Sequence, residues 1–452
     1  MASLEDLGSQ LMSLHIPSNR TVAVIGAGWA GCAAAVECAS KGHTVTLIEA
    51  ARIAGGRARR ITQHGHHLDN GQHILLGAYS ETMRLMRAVG LKPSELMLRL
   101  PVQMRYPDTS KGIKFIASLL PAPLHILSAL ITSQGLSWSD KLALAQFSSA
   151  ARWMGWRLDY DCSVSELLER FNQTEKLIVC MWRPLCIAAL NTPPERASAN
   201  VFLSVLRDSL GARRSASDML LPRQDLTALF PEAAIAYIES QGGKIEFGTR
   251  IKQIERRTTG IKITGDDYAS EFDAIVIATP PWITQDLMRE HDDTIATHQF
   301  EYEAITTCYL QYAKSIRLDH AFYALLDEAN DDAWGQFVFD RGYLNPDQAG
   351  LFAVVISAAN EASKLDQAEL SLAVANQLAN AFQQPAYAKP EWTSIITEKR
   401  ATFACTPNLD RLPNKTKIDN IVLAGDYTKS DYPATLESAV RSGVQAARLI
   451  MN

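Results

Sequence analysis

The sequence predicts an α/β fold: one domain built on a parallel sheet, with a second, mixed α+β domain inserted into it. Three observations point there. The run T-V-A-V-I, Thr21 to Ile25, is continuously apolar, as a strand covered on both faces must be, and it runs into a glycine-rich turn and an alanine-rich segment. Near the other end of the chain, N-I-V-L-A-G-D, Asn420 to Asp426, repeats the buried-strand pattern. Between them lie helical and strand-like stretches too extensive for one domain, since 452 residues suit two or three with sizeable cores.

The first strand leads into Gly26-Ala-Gly28-Trp-Ala-Gly31 and a helix that Gly42 closes; H-T-V-T-L-I-E then supplies a second strand ending at Glu49. Each glycine has a reason. Gly26 makes the tight turn, Gly28 lets backbone approach a pyrophosphate, and Gly31 lets helix pack closely on strand. The helix N-terminus offers free N–H groups to a diphosphate, and Glu49 is spaced to accept hydrogen bonds from ribose hydroxyls. G-x-G-x-x-G alone is a weak signal, equally a tight turn in a unit that binds nothing. With strand before, helix after and acid at the end of the next strand, it predicts a Rossmann-like dinucleotide site.

After Glu49 comes the loop I-A-G-G-R, in which Gly55 and Gly56 permit positive φ or close backbone approach and Arg57 can reach a phosphate or a flavin. Standing alone it would be a solvated turn. At the C-terminal half-site, Gly425-Asp426 is followed by Pro433 to Gly443, read as a helix that continues through A-A-R-L-I. Acid followed by G-G-R, together with the C-terminal Gly-Asp and helix, resembles the superfamily of flavin amine oxidases and carotenoid desaturases. The resemblance implies FAD, with Gly26, Gly28, Gly31, Glu49, Gly56, Arg57, Gly425 and Asp426 as its contacts. It further implies that Asp426 meets the ribityl chain, that the helix beginning near Leu436 points its N-terminus at the flavin, and that backbone at Ile251 lies near the adenine. A helix N-terminus beside a flavin that becomes anionic on reduction is sound physics in its own right. F-D-A-I-V-I-A-T-P-P-W (272–282) resembles the strand leaving the cofactor domain.

In the inserted half, strand-like runs at 301–312, 334–341 and 350–357 precede a helix around 365–384. M-W-R-P-L-C-I-A-A-L-N, L-P-R-Q-D-L, D-N-G-Q-H (Asp69 to His73) and W-G-Q-F-V-F-D-R-G (Trp334 to Gly342) resemble the hydroxysqualene dehydroxylases, squalene-associated FAD enzymes of bacterial hopanoid synthesis. The resemblance spans nearly the whole chain. It implies reduction of an allylic C30 alcohol to squalene, which needs a dry apolar cavity and a proton donor for the departing hydroxyl. Trp182, Leu185, Ile187, Leu190 and Phe202 are candidates for the cavity wall, and equally for plain core. His73 and Asp225 are candidate donors, with Asp208 behind them. The plain alternative for Asp225 is the N-cap of a helix beginning L-T-A-L-F, and for His73 a structural hydrogen bond. His64, His66 and His67 are read as a polar hairpin tip, and no metal is expected.

Composition narrows the class. Hydrophobic content of 47%, charged content of 21% and a net charge of −5 are those of a globular protein and give no reason to expect nucleic-acid binding. Seven cysteines without C-x-x-C spacing read as reduced, and most of them as small core residues, which suits the cytoplasm. The opening residues carry acids early and no apolar run, so no secretory signal is expected and residues 1–19 read as a loose arm. The apolar stretch L-L-P-A-P-L-H-I-L-S-A-L-I (119–131), broken by Pro121 and Pro123, is either a core-facing helix or a patch that dips into a bilayer surface, on the inner face of the cytoplasmic membrane. The cofactor domain is expected in three pieces, 20–105, 215–285 and 395–452, with the helical part of the substrate domain at 106–214 and its sheet at 286–394. The external electron donor has no site legible in the sequence. Rival readings are a phytoene-type desaturase, an amine oxidase, which would need an aromatic cage that is not visible, and a flavin-free isoprenoid escort, which would lack the G-G-R loop.

Overall fold

The computed structural model of the protein describes residues 19–328 and 332–451, so the expected arm lies, apart from Asn19, outside the described residues. Five strands form one parallel sheet in the spatial order Lys244–Phe247, Thr44–Glu49, Thr21–Ile25, Ala274–Ile277, Ile421–Leu423. In chain order this is 3-2-1-4-5, the doubly wound arrangement in which strand order reverses beside the first strand. A crevice opens at that reversal, outside the carboxyl ends of the strands, where ligands bind in such sheets. Both predicted terminal strands belong to this sheet.

Glycines determine how closely its layers pack. A Cβ built on Gly31 would stand 1.8 Å from the Gly26 carbonyl oxygen, so only glycine lets the helix Trp29–Ser40 lie against the first turn. Gly443 does the same where the C-terminal helix Leu436–Met451 crosses that first helix, its Cβ falling 2.1 Å from the Ala30 oxygen. The C-terminal helix thus begins at Leu436, after the loop holding Pro433, rather than at the proline.

The inserted half is built on a five-stranded antiparallel sheet in the order Phe322–Ala324, Phe337–Asp340, Leu351–Ile356, Tyr302–Gln311, Trp392–Phe403. Side chains alternate across it. Val338, Val354 and Leu310 pack under the helix Gln367–Phe382, while Ile305, Phe337, Phe339 and Val355 face a cavity. Two expected boundaries move. Strand Trp392–Phe403 pairs with Tyr302–Gln311, so a division at 394/395 cuts a strand of the substrate sheet. Strand Gln103–Arg105 pairs with Lys114–Ile116, so a division at 105/106 cuts a hairpin. In both cases the partner lies across the expected boundary, and only pairing reveals it.

The hairpin tip at His64 has both central residues, His64 (φ 50°) and Gly65 (φ 77°), in the left-handed region that a tight two-residue turn requires. His64 stacks on Trp392 with ring centroids 4.4 Å apart.

Replacing Gly31 by Ala is expected to lower stability by about 1–3 kcal/mol through overpacking, read as a fall in Tm and in flavin retained per chain.

Candidate active site

A cavity of about 810 Å³ runs from the crevice of the parallel sheet to the apolar face of the antiparallel one. Its parallel-sheet side is made by the glycine turn. Gly28 is the N-cap of the first helix and provides no side-chain acceptor, which leaves that helix's first N–H groups to a ligand. Glu49 closes the second strand; its Oε2 accepts from Ala27 N at 2.7 Å and its Oε1 from Ala51 N at 2.8 Å.

The G-G-R loop lies directly on this turn. Gly55 N donates to Ala27 O at 2.8 Å, and a Cβ on Gly56 (φ 62°) would meet the Gly28 Cα at 3.1 Å. Two glycine loops therefore touch backbone to backbone, forming a cradle with no side chain in it. Arg57 follows, and its guanidinium donates to Asp426 Oδ1 at 2.6 Å and to the Ala401 carbonyl at 2.7 Å. Arg57, expected to reach a phosphate or the flavin, lines the cavity while its guanidinium is held by the acid of the opposite half-site and by the substrate sheet. Gly425, Asp426, Leu436 and Ile251 all line the same cavity. Of the sequence-predicted cofactor residues, Gly31 alone stands off the wall, because its role is packing.

Opposite, the loop Asp69–His73 is clamped to the substrate sheet. Tyr309 Oη donates to the Asp69 carbonyl at 3.0 Å, and Gln72 N donates to Thr307 Oγ1 at 3.3 Å. His73 lines the cavity, with Nδ1 2.7 Å from the Gly71 carbonyl; that carbonyl can only accept, so Nδ1 carries a proton and Nε2 is bare in the neutral ring. Burial pushes its pKa down, against the pull of that carbonyl. Asn70 donates to the Arg57 carbonyl at 2.9 Å and to Glu398 Oε2 at 3.2 Å. Glu398 lines the cavity too and was missed in the sequence, where T-E-K-R reads as an ordinary strand edge.

Asp225 is corrected as a donor candidate. It caps the helix Leu226–Leu229 by accepting from Thr227 N and Ala228 N, pairs with Arg60 at 2.9 Å, and is absent from the cavity wall. Asp208 pairs with Arg207 and Tyr432, also off the wall. The expected substrate wall is corrected as well. Trp182, Ile187, Leu190 and Phe202 are fully buried core, with Trp182 donating to Gln173 and packed on Phe147, and Leu185 is half-buried against that core. The helix Arg183–Leu190 presents its other face, Ala188 and Ala189, to the cavity. Apolar spacing identifies a buried face of a helix but not which of two apolar regions covers it. Asn191 (φ 47°) ends this helix, lines the cavity, and bonds Thr402 Oγ1 and Ala358 N across the substrate sheet.

The comparisons with known proteins agree with this geometry. A family model described as flavin containing amine oxidoreductase matches residues 29–451. The chain belongs to the flavin-containing amine oxidoreductase family. It is 29% identical to a hydroxysqualene dehydroxylase of Zymomonas mobilis over 95% of this chain and 98% of the other. It is 27% identical to a zeta-carotene desaturase of Synechocystis over 95% and 97%. An oxidoreductase from Methanosarcina mazei, 16% identical, shares the fold with a TM-score of 0.72 over 95% of this chain and 99% of that one. As a member of this family the protein is an FAD-dependent oxidoreductase. The side-chain-free cradle at Gly28 and Gly56, the acid at Glu49 and the uncapped helix suit the dinucleotide part, and Asp426 with the helix at Leu436 suits the flavin part.

Asp69 lies beneath the loop, fully buried, its Oδ1 accepting from Leu226 N at 2.7 Å. Burial pushes its pKa up to about 7 despite the nearby Arg341 guanidinium. Well below the ordinary 3.8 the group is neutral folded and unfolded alike, and its burial adds no penalty. As pH rises through about 7 the folded protein must carry the charge, so the stability present at low pH is lost. Asp69→Asn is expected to flatten the part of the Tm–pH profile between about pH 4 and 8 that this group sets. Separately, Glu49→Ala is expected to weaken FAD binding by about 1–3 kcal/mol, since a charged hydrogen bond to ribose is lost; titration of the protein with FAD measures it.

Proposed function

We propose that this FAD enzyme removes the hydroxyl of hydroxysqualene reductively, forming squalene for hopanoid synthesis. The observation that carries the reading is the cavity's substrate-sheet side. Ile305, Phe337, Phe339, Val355 and Ala189 make a wall suited to an isoprenoid chain, and it is continuous with the cofactor cradle. Similarity to proteins named hydroxysqualene dehydroxylase supports the same choice. FAD, bound and reduced, is the source of the hydride that replaces the hydroxyl. The C–O bond breaks, a C–H bond forms at the same carbon, and the hydroxyl takes up a proton and leaves as water. An external two-electron donor must restore the reduced state.

The chain's own residues have two tasks. The aromatic and aliphatic wall keeps water from the carbon as cationic character develops. His73 and Glu398 are the groups on the wall beside the substrate sheet that can deliver the proton. Neutral His73 offers no proton at Nε2, so it acts only after protonation; burial, which lowers its pKa, makes the protonated ring scarce at neutral pH but a stronger acid. A substrate of this kind resides in lipid, and the enzyme is read as a cytoplasmic protein working at the inner face of the cytoplasmic membrane.

A second reading, a carotenoid-type desaturase, is favoured by the 27% identity to zeta-carotene desaturase. Electron flow separates the two. Hydroxysqualene should reoxidise photoreduced enzyme without oxygen and yield squalene, whereas a desaturase substrate should bleach oxidised flavin. His73→Gln or Glu398→Gln is expected to slow anaerobic reoxidation by about 10²–10⁴-fold for whichever residue is the donor, with FAD retained. Asp225→Asn should leave the rate within a few-fold. If neither cavity variant slows the step by about tenfold, the proton comes from water. Failure of hydroxysqualene to reoxidise the wild-type flavin sinks the dehydroxylase reading.

A further inference from the structure

Eight of the twelve large apolar side chains exposed among the described residues fall between 119 and 153. The helix Leu124–Thr132 buries His125 and Ala129 and turns Leu124 (48% exposed), Leu127 (48%) and Ile131 (58%) outward. Helix Trp138–Trp153 buries Ala143, Leu144, Phe147 and Ala151. On its other face, Trp138 (75% exposed), Leu142 (59%) and Trp153 (91%) follow the helical repeat. Lys141 joins the two faces: its Nζ donates to the Ile131 carbonyl at 2.8 Å and sits 5.4 Å from the Trp138 ring centre. Neither helix lines the cavity.

The charge of this region departs from that of the chain. From Lys111 to Arg157 the sequence holds five basic residues and one acid, in a protein of net charge −5. That acid, Asp140, is buried and occupied in the capping box with Ser137 and in a bond to Thr174. Asp108 and Asp159 bound the stretch. Exposed tryptophans at both ends of one helix, leucines and an isoleucine on the outer faces of the two helices and lysine or arginine beside each tryptophan match what an interfacial helix presents to lipid. The rings lie at headgroup depth, the aliphatic chains below, and the cations against lipid phosphates. No helix among the described residues is long and apolar enough to span a bilayer.

We infer that the paired faces of helices Leu124–Thr132 and Trp138–Trp153 are a docking surface for anionic phospholipid bilayers, on which the protein lies without crossing. The surface deepens the peripheral placement given above and rests on it. A second copy of the chain is the competing occupant, but like-charged cationic faces repel one another, whereas an anionic bilayer complements them.

The test uses the FAD-loaded protein and sedimentation with vesicles. Binding to vesicles of phosphatidylcholine with phosphatidylglycerol is expected, with little binding to phosphatidylcholine alone and weakening in high salt. Trp138→Ser with Trp153→Ser, and Lys141→Glu with Arg152→Glu, should each reduce binding about tenfold or more while the flavin spectrum is kept. Leu372→Ser, at an exposed leucine elsewhere, should leave binding unchanged. Equal binding to both vesicle types, no binding by the wild type, or binding unmoved by both double variants overturns the inference. So does a wild-type dimer in ultracentrifugation that the tryptophan variants convert to monomer. If a double variant fails to fold, the wild-type lipid and salt dependence still decides. Because vesicle binding needs neither substrate nor turnover, its failure is distinguishable from failure of the dehydroxylase reading.

Discussion

The contact between Arg57 and Asp426, 2.6 Å long and 369 residues apart in sequence, is the constraint around which the rest is arranged. It joins the loop after the second strand to the Gly-Asp turn that follows the last strand of the parallel sheet. The same guanidinium reaches Ala401 on the substrate sheet, so one side chain fixes three separated segments at once. Its worth lies less in net stability, since desolvation offsets much of the attraction in such pairs, than in geometry. Gly56, the residue before Arg57, lies against Gly28, and the cradle is closed by backbone alone.

A second network holds the cavity's other wall, and it gives physical content to sequence stretches that carry no separate motif chemistry. Leu226 of L-P-R-Q-D-L donates its N–H to Asp69 of D-N-G-Q-H, and Arg341 of W-G-Q-F-V-F-D-R-G donates to Gln72 at 2.9 Å. Asn191, closing the W-R-P-L-C-I-A-A-L-N stretch, bonds to two places on the substrate sheet. Arg341 is almost fully buried with amide partners and Asp69 nearby. Buried polar groups of this kind are costly unless fully partnered, so the network admits few alternative arrangements and holds the loop carrying His73 in one.

These two networks meet at Asn70, which bonds both the Arg57 carbonyl and Glu398. The cofactor side and the substrate side are thereby held in register across the cavity. The substrate sheet contributes through its alternation: one face is covered by a helix, and the other is left for a ligand.

By itself the sequence determined the parallel sheet's terminal strands, the glycine turn, Glu49, the Gly-Asp half-site and the flavin they imply. Those features are local, since a turn that must approach a phosphate needs glycine wherever the rest of the chain goes. Tertiary structure alone decided which apolar residues face the cavity. Trp182 and Phe202 went to the core and Ala188 and Ala189 to the cavity, because hydrophobic spacing marks a buried face without naming what buries it. It also moved Arg57 onto Asp426 and brought Glu398 to the wall from a strand with no local signature. Each of these depends on partners more than a hundred residues away or on burial, and neither is written in the neighbouring letters.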